Sequence, residues 1–171
     1  TPLMIGMLYG FIILDERDEG VLLFYAVTPI TKTGYLFARI LAPIIVTFLI
    51  SFAVVLLQGL VVWKLNTFLP VAVLLALQAP IITMMLASLA ANKVEGLALT
   101  KVINLMILAP LLDYLISHPI IKITMLFPVY WPVQIFMEAE SENYWWNISV
   151  GYVITLIWLT FLERIFRKRI E

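Results

Sequence analysis

YLFARILAPIIVTFLISFAVVLLQGLVVW, residues 35–63, carries a single charge, Arg39, near its start and is apolar for almost all of its remaining length. A bilayer hydrocarbon core needs about 20 helical residues, because each adds about 1.5 Å along the axis. The part of the stretch after Arg39 exceeds that length, so it is read as a membrane-spanning helix. Three further runs have the same character: Phe68 to Ala90, Gly96 to Ile116 and Trp145 to Phe161. The last is short but is flanked by aromatic and basic anchors of the kind that sit at membrane interfaces. A partial run from Pro2 to Leu14 precedes them. The expected fold is therefore all-α, a polytopic transmembrane helical bundle with five spans.

Composition agrees. The chain is 63% hydrophobic and only 13% charged, against about 25% charged in ordinary soluble domains. Its 11 basic and 11 acidic residues balance, which gives no reason to expect a nucleic-acid partner. Cysteine is absent and there is one histidine, His118, so neither a disulfide framework nor a metal site is expected. The chain starts at Thr1 and is apolar at once, without the basic start or small-residue cleavage site of a signal peptide. Its first run is read as the tail of a membrane helix, with the amino-terminal segment truncated. No linker, repeat or low-complexity tract divides residues 1–171, and a single domain is expected.

Sidedness follows from the basic residues. A further apolar stretch, Ile120 to Met137, contains Lys122, Pro128, Trp131 and Pro132. If it does not cross, one side holds Arg17, Lys32, Arg39, Lys93, Lys101, Arg164, Arg167, Lys168 and Arg169, and the other holds only Lys64 and Lys122. If it crosses, the basic tail from Glu163 to Glu171 moves outside, against the positive-inside bias. The stretch is therefore expected to enter from outside and return, leaving the carboxyl terminus cytoplasmic. Glu138, Glu140 and Glu142 then lie outside, beside the interfacial Tyr144, Trp145 and Trp146. Pro43, Pro80 and Pro110 fall within spans, where neighbouring helices can satisfy the freed carbonyls and kinks are expected.

The segment DERDEGVLLFYAVTPITKTGYLFAR, residues 15–39, is the most informative for function. Five consecutive charges cannot stay in hydrocarbon, yet Val21 to Val27 is too apolar for a solvated loop. A short helix in the interface or pressed into a protein groove satisfies both. Pro29 pushes Thr28 away from helical torsions, and Thr31 or Thr33 can cap the next helix. A long loop with a charged stop-transfer patch reads equally well from these residues alone. Gly20 is either a close-approach position or a simple turn, and Arg39 is also the usual kind of interfacial anchor.

The order Glu-x-x-Glu-Gly, apolar turn, Thr-Pro, then a basic residue at the next helix start resembles the type-2 ABC transporter permeases. The matching residues are Glu16, Glu19, Gly20, Thr28, Pro29 and Arg39. The resemblance implies that they belong to a coupling helix docking on a separate ATP-binding subunit. It implies further that the five spans are helices two to six of six. The outer segment with FPVYWPV, residues 127–133, resembles the re-entrant outer hairpin of these proteins. Drug or fluoroquinolone exporters are the nearest subgroup. The partners implied are an ABC ATP-binding subunit and a second permease copy, identical or not, in a bacterial plasma membrane.

The chain has no Gly-x-x-x-x-Gly-Lys-Ser/Thr phosphate loop, so hydrolysis is expected on the partner, with no enzyme activity and no cofactor here. Few polar residues lie inside spans. Gln58, Gln78, Asn104 and Asp113 are the candidates for pathway contacts or interhelical hydrogen bonds. Their scarcity points to an apolar or amphipathic cargo. His118 is read as a boundary residue and Met84 and Met85 as packing. In the turn ANKVEGLALTK, residues 91–101, Asn92 can cap a helix, Lys93 and Lys101 fix orientation, and Glu95 is read either as a partner contact or as part of a purely topogenic turn. Membrane enzymes that act on lipids or peptides need clustered acids, bases or metal ligands, which do not occur. A non-transporting scaffold or sensor subunit is the open alternative.

Overall fold

The structure, a computed structural model, describes residues 1–21, 32–58, 64–116, 119–138 and 141–170. Its elements in order are α1 (Pro2–Asp18), α2 (Lys32–Gln58), α3 (Leu65–Leu89), α4 (Lys93–Leu105), α5 (Leu108–Leu115), a 3₁₀ helix (Pro119–Leu126), α6 (Tyr130–Met137) and α7 (Tyr144–Ile170). Four stretches are long and apolar enough to span a membrane: Phe37–Leu57, Leu65–Leu89, Lys93–Leu115 and Tyr144–Phe166. They coincide with the four long runs of the sequence, and α1, 17 residues, is the partial run before them. The protein is an all-α polytopic bundle.

The central element is α3. Some 72% of its spanning window is buried, against 17–22% in the other three. A helix apolar on every side belongs inside a bundle, and α3 is covered by α1, α2 and α7. One buried cluster joins Ile13 of α1, Ile81 to Leu86 of α3, Ile103 of α4, and Leu162 and Phe166 of α7. Met84 and Met85 lie in it as packing residues. The other gathers Val71, Leu74, Tyr130, Trp131, Ile135, Tyr144 and Ile148 at the opposite end of the bundle.

Helix α1 packs closely on α3. A Cβ on Gly6 would lie 2.6 Å from the Ala79 carbonyl oxygen and 2.7 Å from Ile82 Cβ. One on Gly10 would lie 2.7 Å from Leu86 Cδ1 and 2.8 Å from its Cβ. The Gly6-x-x-x-Gly10 spacing thus puts both missing side chains on one face and lets two backbones meet, as small residues do between membrane helices. Thr83 Oγ1 takes advantage of the approach and donates to the Gly6 carbonyl at 3.0 Å.

Only one of the three expected proline kinks interrupts a helix. Pro43 and Pro80 remain inside continuous α2 and α3. Ahead of Pro110 the ladder tightens: Met106 N–H donates to the Ile103 carbonyl, Ile107 to Asn104, and Ala109 to Met106, all spaced by three residues. Proline has no N–H for the Met106 carbonyl, so α4 and α5 are separate helices in one span.

Residues 119–137 fold back against the bundle as a hairpin of the 3₁₀ helix and α6. Leu126, the last residue of the 3₁₀ helix, accepts the Trp158 indole N–H at 2.9 Å. Trp158 is fourteen residues into α7 from Tyr144, or about 21 Å along its axis. The tip of the segment therefore reaches about that far along α7, with Leu126 exposed, and Trp131 Nε1 closes it by donating to Met125 at 2.9 Å. Tyr144 donates to the Thr67 carbonyl and Tyr152 to that of Pro70 at 2.8 Å, fixing the start of α7 to the start of α3.

Candidate functional site: the charged end of the bundle

Helix α1 ends in the run Asp15 to Glu19, and four of its five charges are engaged by three other helices. Glu16 forms an ion pair with Arg39 of α2 and accepts the Tyr35 hydroxyl at 2.5 Å. The pair is partly buried, with Glu16 16% and Arg39 25% exposed, so water screens it less than a surface pair. Arg39 also stands over the Tyr35 ring, 5.5 Å from its centroid. Arg17 donates to the carbonyls of Ala87 at 2.6 Å and Ala90 at 2.9 Å. Those are orphan acceptors at the end of α3, which has no basic residue in its own last turn, so a cation from α1 meets the negative pole of α3.

Asp15 forms an ion pair with Lys93, and Asp18 Oδ2 accepts the Lys93 backbone N–H at 3.2 Å. Both carboxylates stand at the positive amino-terminal pole of α4. At the start of α4, Asn92 Oδ1 accepts the Glu95 N–H at 2.9 Å, one of the orphan donors of a helix start, and Glu95 Oε2 reaches back to accept the N–H of Ala91, just before the cap, at 2.7 Å. Asn92 therefore caps α4, and Glu95 braces the turn before it.

Glu19 and Gly20 lie beyond this clasp. Glu19 is exposed. Gly20 takes φ +71 and a Cβ there would meet nothing within 4 Å, so it serves to turn the chain in the left-handed conformation that ends helices. Thr28, Pro29 and the apolar stretch from Leu22 to Val27 lie outside the described residues.

The candidate pathway residues separate. Gln78 is buried in α3 and donates to Thr155 Oγ1 of α7 at 3.3 Å and to the Leu74 carbonyl at 3.2 Å, an interhelical bridge. Asp113 on α5 accepts the Tyr130 hydroxyl of α6 at 2.6 Å, tying the outer segment to a span. Burial first, and then that hydrogen bond and the charges of Asp113 and Glu138, raise the Tyr130 phenol above its ordinary range. Asn104 is exposed on α4. Gln58 closes α2, and its side chain, like His118 and Glu140, lies outside the described residues.

Residues 1–163 match the family described as fluoroquinolones export permease protein Rv2686c-like. The chain belongs to this family. Among curated proteins this permease-family chain is similar to the fluoroquinolones export permease proteins MT2760 and Rv2686c of Mycobacterium tuberculosis, strains CDC 1551 / Oshkosh and ATCC 25618 / H37Rv. It is 26% identical to each over 161 residues. The alignment covers 91% of the chain and 64% of each relative, so the chain spans less than two thirds of their length. No solved structure matches it.

Within this family member, the clasp joins two residues singled out by motif, Glu16 and Arg39, to three that sequence reasoning passed over, Asp15, Arg17 and Asp18. Their signal was positional: opposite charges placed where three helices end or begin at one side of the bundle. Gly6 and Gly10 were also missed, although Gly-x-x-x-Gly in an apolar run is a recognisable packing pattern.

Proposed function

We propose that the chain is the membrane-spanning permease part of an ATP-driven exporter, with the nucleotide chemistry on a separate ABC ATP-binding subunit and the pathway formed with a second permease copy. The observation that carries the coupling reading is the clasp. Asp15, Glu16, Arg17 and Asp18 tie the end of α1 to α2, α3 and α4, while Glu19 and Gly20 follow the clasp in the chain. A force applied to the segment after Gly20 meets the bundle where three helices are already bound together. Charge and apolar groove can fix such a segment on a partner, and the clasp then conveys its displacement to the spans. The charged end is cytoplasmic on this reading, with the carboxyl terminus.

The relatives are named as fluoroquinolone export permeases, and the cargo inferred here is of the same kind: a small amphipathic, largely apolar compound. The scarcity of polar groups inside the spans supports it. One experiment addresses the coupling. In the full-length protein with its ATPase, Glu16→Gln and Glu19→Ala should each reduce export and cargo-stimulated ATP hydrolysis while amounts in the membrane stay unchanged. Removing one partner of a partly buried pair costs roughly 1–3 kcal/mol of local stability, enough to loosen the clasp. Parental export from both variants, or failure of any ABC ATPase to co-purify, would defeat the reading.

A further inference from the structure

Three cations at the charged end are engaged inside the bundle: Arg17 by the carbonyls that close α3, Arg39 by Glu16 and Lys93 by Asp15. Two on α7 are not. Arg164 and Lys168 are exposed, one helical turn and so about 6 Å apart on one face, and neither has a polar partner among the described residues. Glu163, the acid beside them in sequence, is half-buried. The helix pole does not account for the pair, because a cation answers that pole only within the last turn. Arg164 stands well before Ile170, where α7 ends.

The depth of the pair follows from the register of α7 on α3. Tyr144 donates to the Thr67 carbonyl and Gln78 to the Thr155 hydroxyl, each across 77 residues. That offset sets Arg164 level with Ala87, whose carbonyl holds Arg17, and Lys168 about one turn farther out. Both cations therefore stand at the level of the clasp, where the apolar spans end and the lipid headgroups begin. Leu162 and Phe166, each 1% exposed, hold the opposite face of α7 in the core, so the pair is fixed outward. Above it the same face is apolar: Phe161, Ile157 and Val153 are each more than half exposed, and Trp146 stands at the far end. From Trp146 to Arg164 the helix rises about 27 Å, close to the thickness of a hydrocarbon core.

We infer that this face holds an anionic phospholipid of the leaflet at the charged end, with its phosphate between Arg164 and Lys168 and its chains along Phe161 and Ile157. A guanidinium takes two oxygens of one phosphate, and an ammonium adds a further donor. A free phosphate would use the two cations and leave the adjoining apolar strip without a role; a lipid uses both. A zwitterionic headgroup brings its own ammonium against the pair, so the site selects by charge. The inference rests on membrane embedding alone and not on the ATP-driven reading.

The test takes the full-length protein in nanodiscs of phosphatidylcholine with a minor fraction of phosphatidylglycerol, and counts retained lipids by native mass spectrometry. The parent should retain phosphatidylglycerol in preference to phosphatidylcholine. Arg164→Gln or Lys168→Gln should each lower that preference roughly fivefold, and the double variant roughly thirtyfold. Lys101→Gln removes an exposed cation from α4 and should leave it unchanged. Undiminished retention in the double variant, or an equal loss in Lys101→Gln, would overturn the site. Displacement by excess inorganic phosphate would make it a site for the free anion and overturn the lipid. Loss of a co-purifying ATPase from the double variant with lipid retention intact would assign the cations to a protein partner instead. A second measurement separates binding from folding. In pure phosphatidylcholine the double variant should melt with the parent, because both side chains are exposed; phosphatidylglycerol should then raise the melting temperature of the parent and not that of the variant.

Discussion

Substituting Gly6 by alanine tests the packing that seats α1, and with it the clasp, on the central helix. The new methyl would lie 2.6 Å from the Ala79 carbonyl oxygen and 2.7 Å from Ile82 Cβ. Contact distances between such atoms begin near 3.5 Å, so α1 and α3 must separate locally by roughly 0.8 Å. A gap of that size forfeits about a quarter to a half of each contact along the seam. The Thr83 hydroxyl, now 3.0 Å from the Gly6 carbonyl, stretches with it. Overpacking of this kind costs about 1–3 kcal/mol, and alanine returns up to about 1 kcal/mol of helix propensity. The net expectation is a loss of about 1–2 kcal/mol. Gly10→Ala should be destabilising for the same reason, at 2.7 Å from Leu86 Cδ1. The double variant should lose less than the sum, because one outward shift of α1 relieves both clashes. Reversible unfolding of the full-length protein in bicelles measures all three. A Gly6→Ala protein more stable than the parent by about 1 kcal/mol would show an open helix glycine and refute the close approach.

Three further outcomes are expected. Asn92→Ala removes the acceptor for the Glu95 N–H and should destabilise the start of α4 by about 1 kcal/mol; hydrogen exchange at Glu95 would accelerate, and unaltered protection would count against the cap. The Tyr130 phenol is held above its ordinary value, so the stability it contributes is complete below about pH 10 and is lost as pH rises through its raised value. In an alkaline absorbance titration, Tyr130→Phe should lower the number of late-ionising phenols by one, and an unchanged number would refute the assignment. Gln78→Leu should change stability by less than about 1 kcal/mol, the scale of interhelical side-chain bonds in membranes. Export should also persist, and a variant that is stable but no longer exports would make Gln78 a pathway residue rather than a bridge.

Much of the architecture was legible because hydropathy is local. The four long runs coincide with the four observed spans. The candidate site was less legible. Glu16 and Arg39 stood out by motif, but the residues that bind Arg17 and Asp18 are seventy or more positions away in the chain, and nothing periodic joins them. The prolines show the same limit. Pro43, Pro80 and Pro110 look alike in sequence, yet only ahead of Pro110 does the ladder tighten to three-residue spacing and divide the span into two helices.

The sequence by itself determined the solvent, the spans and the segregation of charge between the two ends, because transfer into lipid depends on the residues of one segment at a time. The tertiary structure alone decided which apolar helix is central, that Gly6 and Gly10 are where α1 meets it, and that most of the charged run faces inward as a clasp. Those properties belong to pairs of segments. When every helix is apolar on most of its surface, hydrophobicity cannot rank their faces, and close packing, helix poles and unpaired polar groups make the choice.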